Sequence, residues 1–292
     1  MQAGRLHHNR IMYTSQSGEV LRKQNCAIMY PGLPMPGISV IIKHMSLAQK
    51  ILDSKKPFVF FHTWTVTKNL LRQAIDEGKS MDLDVCVDDQ GKPYLGHSKE
   101  YHKKSGEPMF NTMPLWEAID MIAKSEIPVM VDCKHYDAWP VVEKVVTTIG
   151  PERCLVDSFA TELRFNYSRD EGEPDFVTEW SPIEKLRSFK NKFPSVTTAA
   201  CAKWLPRNLL LSDQLKGLRD KIRQLLQDNH VDTVCLGVPD ATMSDVWLRY
   251  FLDGNVIPQI GIDKIDTTKL TEVYIGETDD LKMASRYAAL RS

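Results

Sequence analysis

The sequence predicts an eight-stranded parallel βα barrel, the (β/α)8 or TIM barrel, preceded by an N-terminal extension. From residue 57 onward, short apolar runs alternate with amphipathic helical patterns, which is typical of parallel strands joined by crossover helices. Eight such runs occur, and eight is the number that closes a barrel of this type. A doubly wound open sheet is the alternative that the same alternation allows.

The chain is predicted to divide at about residue 50. Residues 1–50 hold prolines and glycines among apolar residues, and neither helical nor strand periodicity persists there. We therefore expect residues 1–50 to form an extension that is partly ordered at best. Residues 51–292 then form the barrel domain.

The predicted strands are short runs rich in Val, Ile, Phe and Leu, as expected for strands that are buried on both faces. They cover residues 57–62, 81–87, 127–135, 153–159, 195–201, 233–238, 256–262 and 272–277. Between and after them lie segments with helical periodicity and helix start or stop signals. These segments are TKNLLRQAIDEG, LWEAIDMIAKS, AWPVVEKVVTTIG, SPIEKLRSFKNKFP, LSDQLKGLRDKIRQLLQDNH, MSDVWLRYFLDGN and DDLKMASRYAALRS.

Composition excludes several classes of partner. The 37 Lys and Arg residues nearly balance the 38 Asp and Glu residues, so bulk charge does not favour nucleic acid or an anionic membrane. No apolar run is long enough to span a bilayer, and the N-terminus lacks the apolar segment of a secretory signal. The six cysteines show no CxxC spacing, which favours buried free thiols. We expect a cytoplasmic protein with no transmembrane segment.

The second predicted strand carries two acidic residues on one face. In MDLDVCV, Asp82 and Asp84 alternate with apolar residues, so both side chains point the same way, roughly 7 Å apart. Two like charges side by side require either solvent or a positive group. In a barrel, such strand ends form the functional face.

Further polar residues fall at the ends of neighbouring strands. His62 ends the first predicted strand, and the turn after the second returns the chain to His97. Asp132 and Lys134, again two positions apart, end the third. Parallel strands lie about 4.8 Å apart, so the aspartate triad (Asp82, Asp84 and Asp132) can converge on one cation. Ligation by oxygen alone suits Mg²⁺ or Ca²⁺.

Each of these side chains also has a simpler interpretation. Asp82 and Asp84 could be solvated charges at a strand end, and Asp132 and Lys134 could form an ordinary salt bridge. A histidine at the end of a buried strand is commonly just hydrogen-bonded.

The order of these motifs resembles that of the glycerophosphodiester phosphodiesterases and their phospholipase-C-like barrel relatives. MDLDVCVDDQGKPYLGHS is similar to that family's Glu-x-Asp-Val strand with its Asp-Gly turn and histidine return, and VMVDCKH is similar to its Glu-x-Lys strand. The resemblance covers residues 57 to about 159, and beyond them it consists only of the strand–helix rhythm.

The resemblance implies roles for individual residues. His62 and His97 would be the general acid and base, the aspartate triad would bind one divalent cation, and Lys134 would neutralise the phosphate. The implied reaction is attack on a phosphodiester by water or by a neighbouring substrate hydroxyl. Lys203 and Trp204, just after the fifth predicted strand, could line the mouth against a ligand head group.

Three departures from the family pattern indicate a divergent member. Thr63 stands where Arg usually follows the first histidine, and Asp82 and Asp132 stand where Glu is usual. These changes predict either a different substrate or a loss of activity.

Three function classes follow. The first is a metal-dependent phosphodiester hydrolase acting on glycerophosphodiesters or lysophospholipid-type small molecules. The second is an inactive barrel that binds phosphorylated ligands. The third is an enzyme of other chemistry, such as an aldolase with Lys134 as its Schiff base, which the carboxylate of Asp132 on the same face disfavours.

Overall fold

A computed structural model describes most of the chain from residue 45 onward. The described residues are 45–63, 65–97, 99, 102–103, 112–157, 163–166, 175–178, 183–201, 216–236, 245–263 and 267–284. Residues 1–44, most of the predicted extension, lie outside this set, as do Lys203 and Trp204.

Strands and helices alternate as the sequence predicts. The strands are β1 (Phe58–Phe61), β2 (Ser80–Val87), β3 (Pro93–Leu95), β4 (Val129–Cys133), β5 (Cys154–Asp157), β6 (Leu163–Asn166), β7 (Asp175–Thr178), β8 (Thr197–Cys201), β9 (Thr233–Cys235), β10 (Ile257–Gly261) and β11 (Ile275–Thr278). The helices are α1 (Leu47–Ser54), α2 (Lys68–Asp76), α3 (Leu115–Ala123), α4 (Trp139–Ile149), α5 (Glu184–Lys192), α6 (Lys216–Asp228) and α7 (Asp245–Leu252). Residues 281–284 are also helical.

Eight of these strands close into a parallel barrel. Strands β1, β2, β4, β5, β8, β9, β10 and β11 pair side by side in that order, and β11 pairs back onto β1. At this seam Phe58 lies opposite Ile275, while Phe60 lies opposite Ser80 on the other side of β1. The closed sheet confirms the (β/α)8 barrel and rules out the open doubly wound alternative.

The barrel interior has an apolar floor. Helix α1 lies beneath the strands and contributes three buried side chains to a cluster with inward-facing strand residues. The members of this cluster are Leu47, Ala48, Ile51, Phe60, Met130, Leu155, Ala199, Ile257 and Ile275. The Ala48 amide donates to Oγ1 of Thr197, at the start of β8, over 2.8 Å, which fixes α1 at the amino end of the barrel.

Helix α1 includes residues 47–50, which the sequence places in the extension. Helix α1 has only eight residues and follows a segment rich in proline and glycine. Its helical periodicity is therefore too short to stand out in the sequence. The domain boundary near residue 50 stays a prediction.

A second, larger apolar layer lies between the barrel and its helices. Helix α2 shows how the sequence builds this layer: Thr67 caps it by accepting a hydrogen bond from the Leu70 amide, and Leu71 and Ala74 turn inward. The Trp139 side chain at the start of α4 packs on Phe189 of α5, with ring centroids 5.5 Å apart.

An antiparallel hairpin, β6–β7, follows β5 and was not predicted from the sequence.

Among the described cysteines, Cys86, Cys133, Cys154 and Cys201 are buried, Cys235 is half-buried, and all five are free thiols. None of the helices in the described ranges is both long and apolar enough to cross a bilayer.

Candidate active site

Three aspartates lie side by side where the strands end. Register pairs Asp84 of β2 with Asp132 of β4, and Asp132 with Asp157 of β5. All three side chains are buried at the carboxyl ends of the strands, which is the functional end of such a barrel. Acidic groups therefore concentrate above the apolar floor.

The β2–β3 hairpin returns His97 to this layer. In the turn, Oδ1 of Asp88 accepts a hydrogen bond from the Lys92 amide over 2.8 Å. Gly96 has a φ of +126°, which favours glycine, and its amide donates to the Asp84 carbonyl over 2.9 Å. The next residue, His97, is thereby placed beside the Asp84 side chain.

Asp84 is the centre of the site. Its Oδ2 lies 3.0 Å from Nε2 of His97 and 3.7 Å from Nε2 of His62. Its Oδ1 lies 3.1 Å from Nζ of Lys134. Burial alone would raise the pKa of Asp84, but the charge of Lys134 and hydrogen bonds from both histidines hold that pKa well below its usual range. Asp84 is therefore a permanent carboxylate between three nitrogen groups.

Lys134 joins two members of the aspartate triad. Besides Asp84, its Nζ contacts Oδ2 of Asp132, and its side chain is only 8 % exposed. Burial disfavours the ammonium form, yet the negative charges of Asp132, Asp84 and Asp82 raise the pKa of Lys134 well above its ordinary value. The amine is thus positively charged and held at the barrel mouth.

Asp82 differs from Asp84 although both lie on one face of the same strand. It is 3 % exposed, and within the described part of the chain its Oδ1 has no hydrogen-bond partner. Burial raises the pKa of Asp82 well above its usual value; the His62 charge opposes this, and the charges of Asp84, Glu277 and Asp132 add to it. A buried carboxylate oxygen without a hydrogen-bond partner would be stabilised by a positive charge placed beside it.

His62 lies between two carboxylates. Its Nδ1 is 2.8 Å from Oδ1 of Asp279, and its Nε2 faces Asp84. Burial acts to lower the pKa of His62, but hydrogen bonds to Asp279 and Asp84 outweigh it and raise that pKa to about 11. Without a bound cation, the side chain is an imidazolium at neutral pH.

Asp279 was not identified from the sequence. It directly follows β11, the eighth strand of the barrel, in the run GETDD. An acidic pair after the last strand was the available signal, since that strand end meets the first one when the barrel closes.

The structure brings together the histidines, the lysine and the aspartate triad that the sequence singled out. One ligand atom each from His62, Asp82 and Asp84 lies within 4.8 Å of the others. Asp132 joins this group through Lys134. The catalytic and metal-binding roles of these residues stay predictions, as does the role of Lys203 and Trp204.

Comparison with known proteins finds solved structures that share the fold but no protein with significant sequence similarity. No protein-family model matches the chain, and no curated protein matches it with significant sequence similarity. Among solved structures, a glycerophosphoryl diester phosphodiesterase from Parabacteroides distasonis matches with a TM-score of 0.51 at 11 % identity, over 85 % of this chain and 93 % of that one. The two proteins share a fold.

Other solved barrels match at lower TM-scores. A glycerophosphodiester phosphodiesterase from Thermotoga maritima has a TM-score of 0.48 at 11 % identity, over 80 % of this chain and 98 % of that one. An oxaloacetate acetylhydrolase has a TM-score of 0.45 at 13 % identity, over 84 % of this chain and 82 % of that one. A shared fold does not determine a reaction, so the reaction has to be argued from the site.

Proposed function

We propose that this protein is a metal-dependent phosphoric diester hydrolase acting on glycerophosphodiesters or lysophospholipid-type substrates. The observation that carries the proposal is the arrangement around Asp84, whose carboxylate contacts His97, His62 and Lys134 at the carboxyl ends of the strands. Two proton-transfer groups beside a cationic side chain suit displacement at a phosphodiester.

Lys134 supplies the positive charge for the phosphate. Its raised pKa keeps the amine protonated, and its position between Asp84 and Asp132 fixes Nζ at the mouth. A Schiff-base lysine has to lose its proton, so two carboxylates around Nζ disfavour the aldolase alternative.

The environments of the two histidines indicate different roles. His62 is held as an imidazolium by Asp279 and Asp84, so it starts as the proton donor to the leaving oxygen. Its Nδ1 is held by Asp279 over 2.8 Å, so Nε2, which faces Asp84 at 3.7 Å, is the nitrogen that would transfer the proton. We therefore assign the general-base role to His97, which would take the proton of the attacking hydroxyl or water.

The aspartate triad is proposed to hold a hard divalent cation such as Mg²⁺ or Ca²⁺. Support comes from the buried, unpartnered Oδ1 of Asp82 and from the oxygen ligands that the three aspartates offer. When bound, such a cation would take up negative charge on a non-bridging phosphate oxygen. Lys134 would then release its aspartates and turn towards the phosphate.

The second candidate is a barrel that binds phosphorylated ligands without turnover. The observation that favours it is Thr63, whose hydroxyl donates to the Thr65 carbonyl over 3.3 Å. The resembled family has an arginine at this position, so one phosphate contact is absent from it here. The hydrolase and the phosphate-binding barrel would then differ in whether a bound phosphodiester is turned over.

A substrate screen separates the two candidates. Glycerophosphodiesters, lysophospholipids and bis-(p-nitrophenyl) phosphate are offered with and without Mg²⁺, Ca²⁺ or Mn²⁺. The hydrolase proposal expects cation-dependent turnover of at least one of them that falls about 10²–10⁴-fold in His97→Ala. The matched control is His230→Asn, an exposed histidine in the turn before β9, at the opposite end of the barrel. If phosphodiesters bind and none is turned over, the binder is correct.

A further inference from the structure

A second group of potential ligands lies in the barrel, on strands β5, β9 and β11. One ligand atom each from Asp157 of β5, Cys235 of β9 and Glu277 of β11 lies within 4.8 Å of the others. Asp157 is 4 % exposed. A thiol between two carboxylates differs in chemistry from the all-oxygen aspartate triad.

Gln259 of β10 places its amide head within this group. Its side chain is fully buried, and its Nε2 donates to Oδ2 of Asp157 over 3.2 Å and to Oε1 of Glu277. Cys201 of β8 lies opposite Cys235 in register, so the two thiol side chains are neighbours on adjacent strands. Five consecutive strands, β5 and β8 to β11, thus each contribute one polar side chain.

The amide of Gln259 is only half satisfied. Among the described residues, its buried Oε1 has no hydrogen-bond partner. A buried acceptor that is left unpaired destabilises the fold. A half-turn of the amide would direct Oε1 between the carboxylates of Asp157 and Glu277, where it would be repelled unless a cation lay there.

We propose that Cys235, Asp157 and Glu277, with Oε1 of Gln259 as fourth ligand, bind a second divalent cation of the zinc class. Zinc is borderline-soft and accepts thiolate, carboxylate and carbonyl ligands, whereas Mg²⁺ and Ca²⁺ take oxygen almost alone. Tetrahedral zinc with bonds of about 2.0–2.3 Å needs ligand atoms roughly 3.5 Å apart, a spacing compatible with three ligand atoms that lie within 4.8 Å of one another. Cys201 would then donate its S–H to the Cys235 sulfur and orient it.

This inference does not rest on the proposed function. Only a site with a thiolate gives an ultraviolet sulfur-to-metal charge-transfer band with Cd²⁺ or Co²⁺. A cation bound by the aspartate triad gives no such band, so the two sites are read separately even if no substrate is ever turned over.

The test titrates the full chain with Cd²⁺ and then competes with Zn²⁺, following the charge-transfer band. The parent is expected to bind one equivalent with the band, and Cys235→Ser is expected to lose it. The matched control is Cys154→Ser, a buried thiol of the outer layer that donates to the Gly150 carbonyl over 3.3 Å and is expected to keep the band.

A second variant covers the case in which Cys235→Ser does not fold. Glu277→Gln keeps every thiol and is expected to lower Zn²⁺ affinity at least tenfold, with the band restored at higher metal concentration. Melting curves without metal establish that each variant is folded. No thiolate band in the parent, or equal Zn²⁺ affinity in the parent and Glu277→Gln, would overturn the inference.

Discussion

The Nδ1 atom of His62 lies 2.8 Å from Oδ1 of Asp279, which joins the end of the first barrel strand to the residue directly after the last one. This contact crosses the seam where the barrel closes. It also gives one of the two proposed catalytic histidines a carboxylate partner.

Replacing Asp279 by Asn should lower the pKa of His62, because a charged hydrogen-bond acceptor becomes a neutral one. We expect the alkaline limb of the pH–rate profile to move to lower pH, as the proposed general acid loses its proton earlier. Proton NMR of the imidazole, followed against pH, measures the shift directly.

The control for this substitution is Asp280→Asn. The Asp280 carboxylate accepts hydrogen bonds from the amides of Lys282 and Met283, a capping role that asparagine can also fill. An unchanged His62 titration in Asp279→Asn would show that the seam contact does not set the charge of this histidine.

The charge of His62 also makes stability depend on pH. The folded pKa of about 11 exceeds the ordinary value of 6.5, so the contribution is complete below pH 6.5 and is lost as pH rises towards 11. In metal-free protein, this residue should lower the free energy of unfolding by up to about 1.4 kcal/mol per pH unit in that window. Denaturant titrations at several pH values should show a shallower slope in His62→Gln, and parallel slopes would contradict the raised pKa.

The two histidines should act on one reaction coordinate. His62→Ala and His97→Ala are each expected to reduce turnover about 10²–10⁴-fold. The double variant should lose much less than the product of the two effects, because a missing acid leaves little for the base to accelerate. Steady-state kinetics on the best substrate from the screen provide the measurement. Multiplicative losses would mean that the histidines act independently.

Lys134 should compete with the divalent cation for the aspartates. Lys134→Met leaves Asp84 and Asp132 buried without their ammonium partner, so we expect the metal-free variant to be destabilised by several kcal/mol, about 3–5 by comparison with other broken buried ion pairs. Added Mg²⁺ or Ca²⁺ should stabilise it more than it stabilises the parent. Thermal melts with and without the cation measure both effects.

Asp84→Asn is the opposite case in the same experiment. It removes a predicted ligand, so calorimetry should show sharply weaker cation binding. Equal Mg²⁺ and Ca²⁺ binding in this variant and the parent would exclude the triad as the site.

Residues 1–44 are proposed to be dispensable for the barrel. A chain that begins at Met45 keeps α1, and its melting temperature should stay close to that of the full chain. A chain that begins at Pro57 loses the buried side chains of Leu47 and Ile51, worth about 1.5–3 kcal/mol each. Calorimetric melts of the two shortened proteins are compared, and a Met45 chain that melts far below the full one would disprove the proposed boundary.

Most of the fold could be predicted because the barrel strands are short apolar runs bounded by turns. The observed ends of β1 and β8 lie within two residues of their predicted ends. The β6–β7 hairpin was missed because RFN and DFV, unlike the barrel strands, lie in a polar stretch without clear alternation.

The candidate site could be predicted where its residues cluster in sequence. Asp82, Asp84 and His97 belong to one hairpin, whereas Asp279 is 217 positions from the histidine that it contacts. Gln259 and Glu277 likewise stand alone on their strands, so the pairing of β10 with β11 is needed to reveal that they meet. Spacing along a chain predicts which residues are local neighbours. Predicting which side chains meet across a barrel also requires the order in which its strands pair.

Helix α1 covers the amino end of the barrel. Ile51 and its neighbours pack beneath Phe60 and Met130 at the amino end of the barrel. Ions and small molecules therefore reach the acidic layer from the opposite end. A molecule that reaches Asp84 through that end therefore has to leave by the same route.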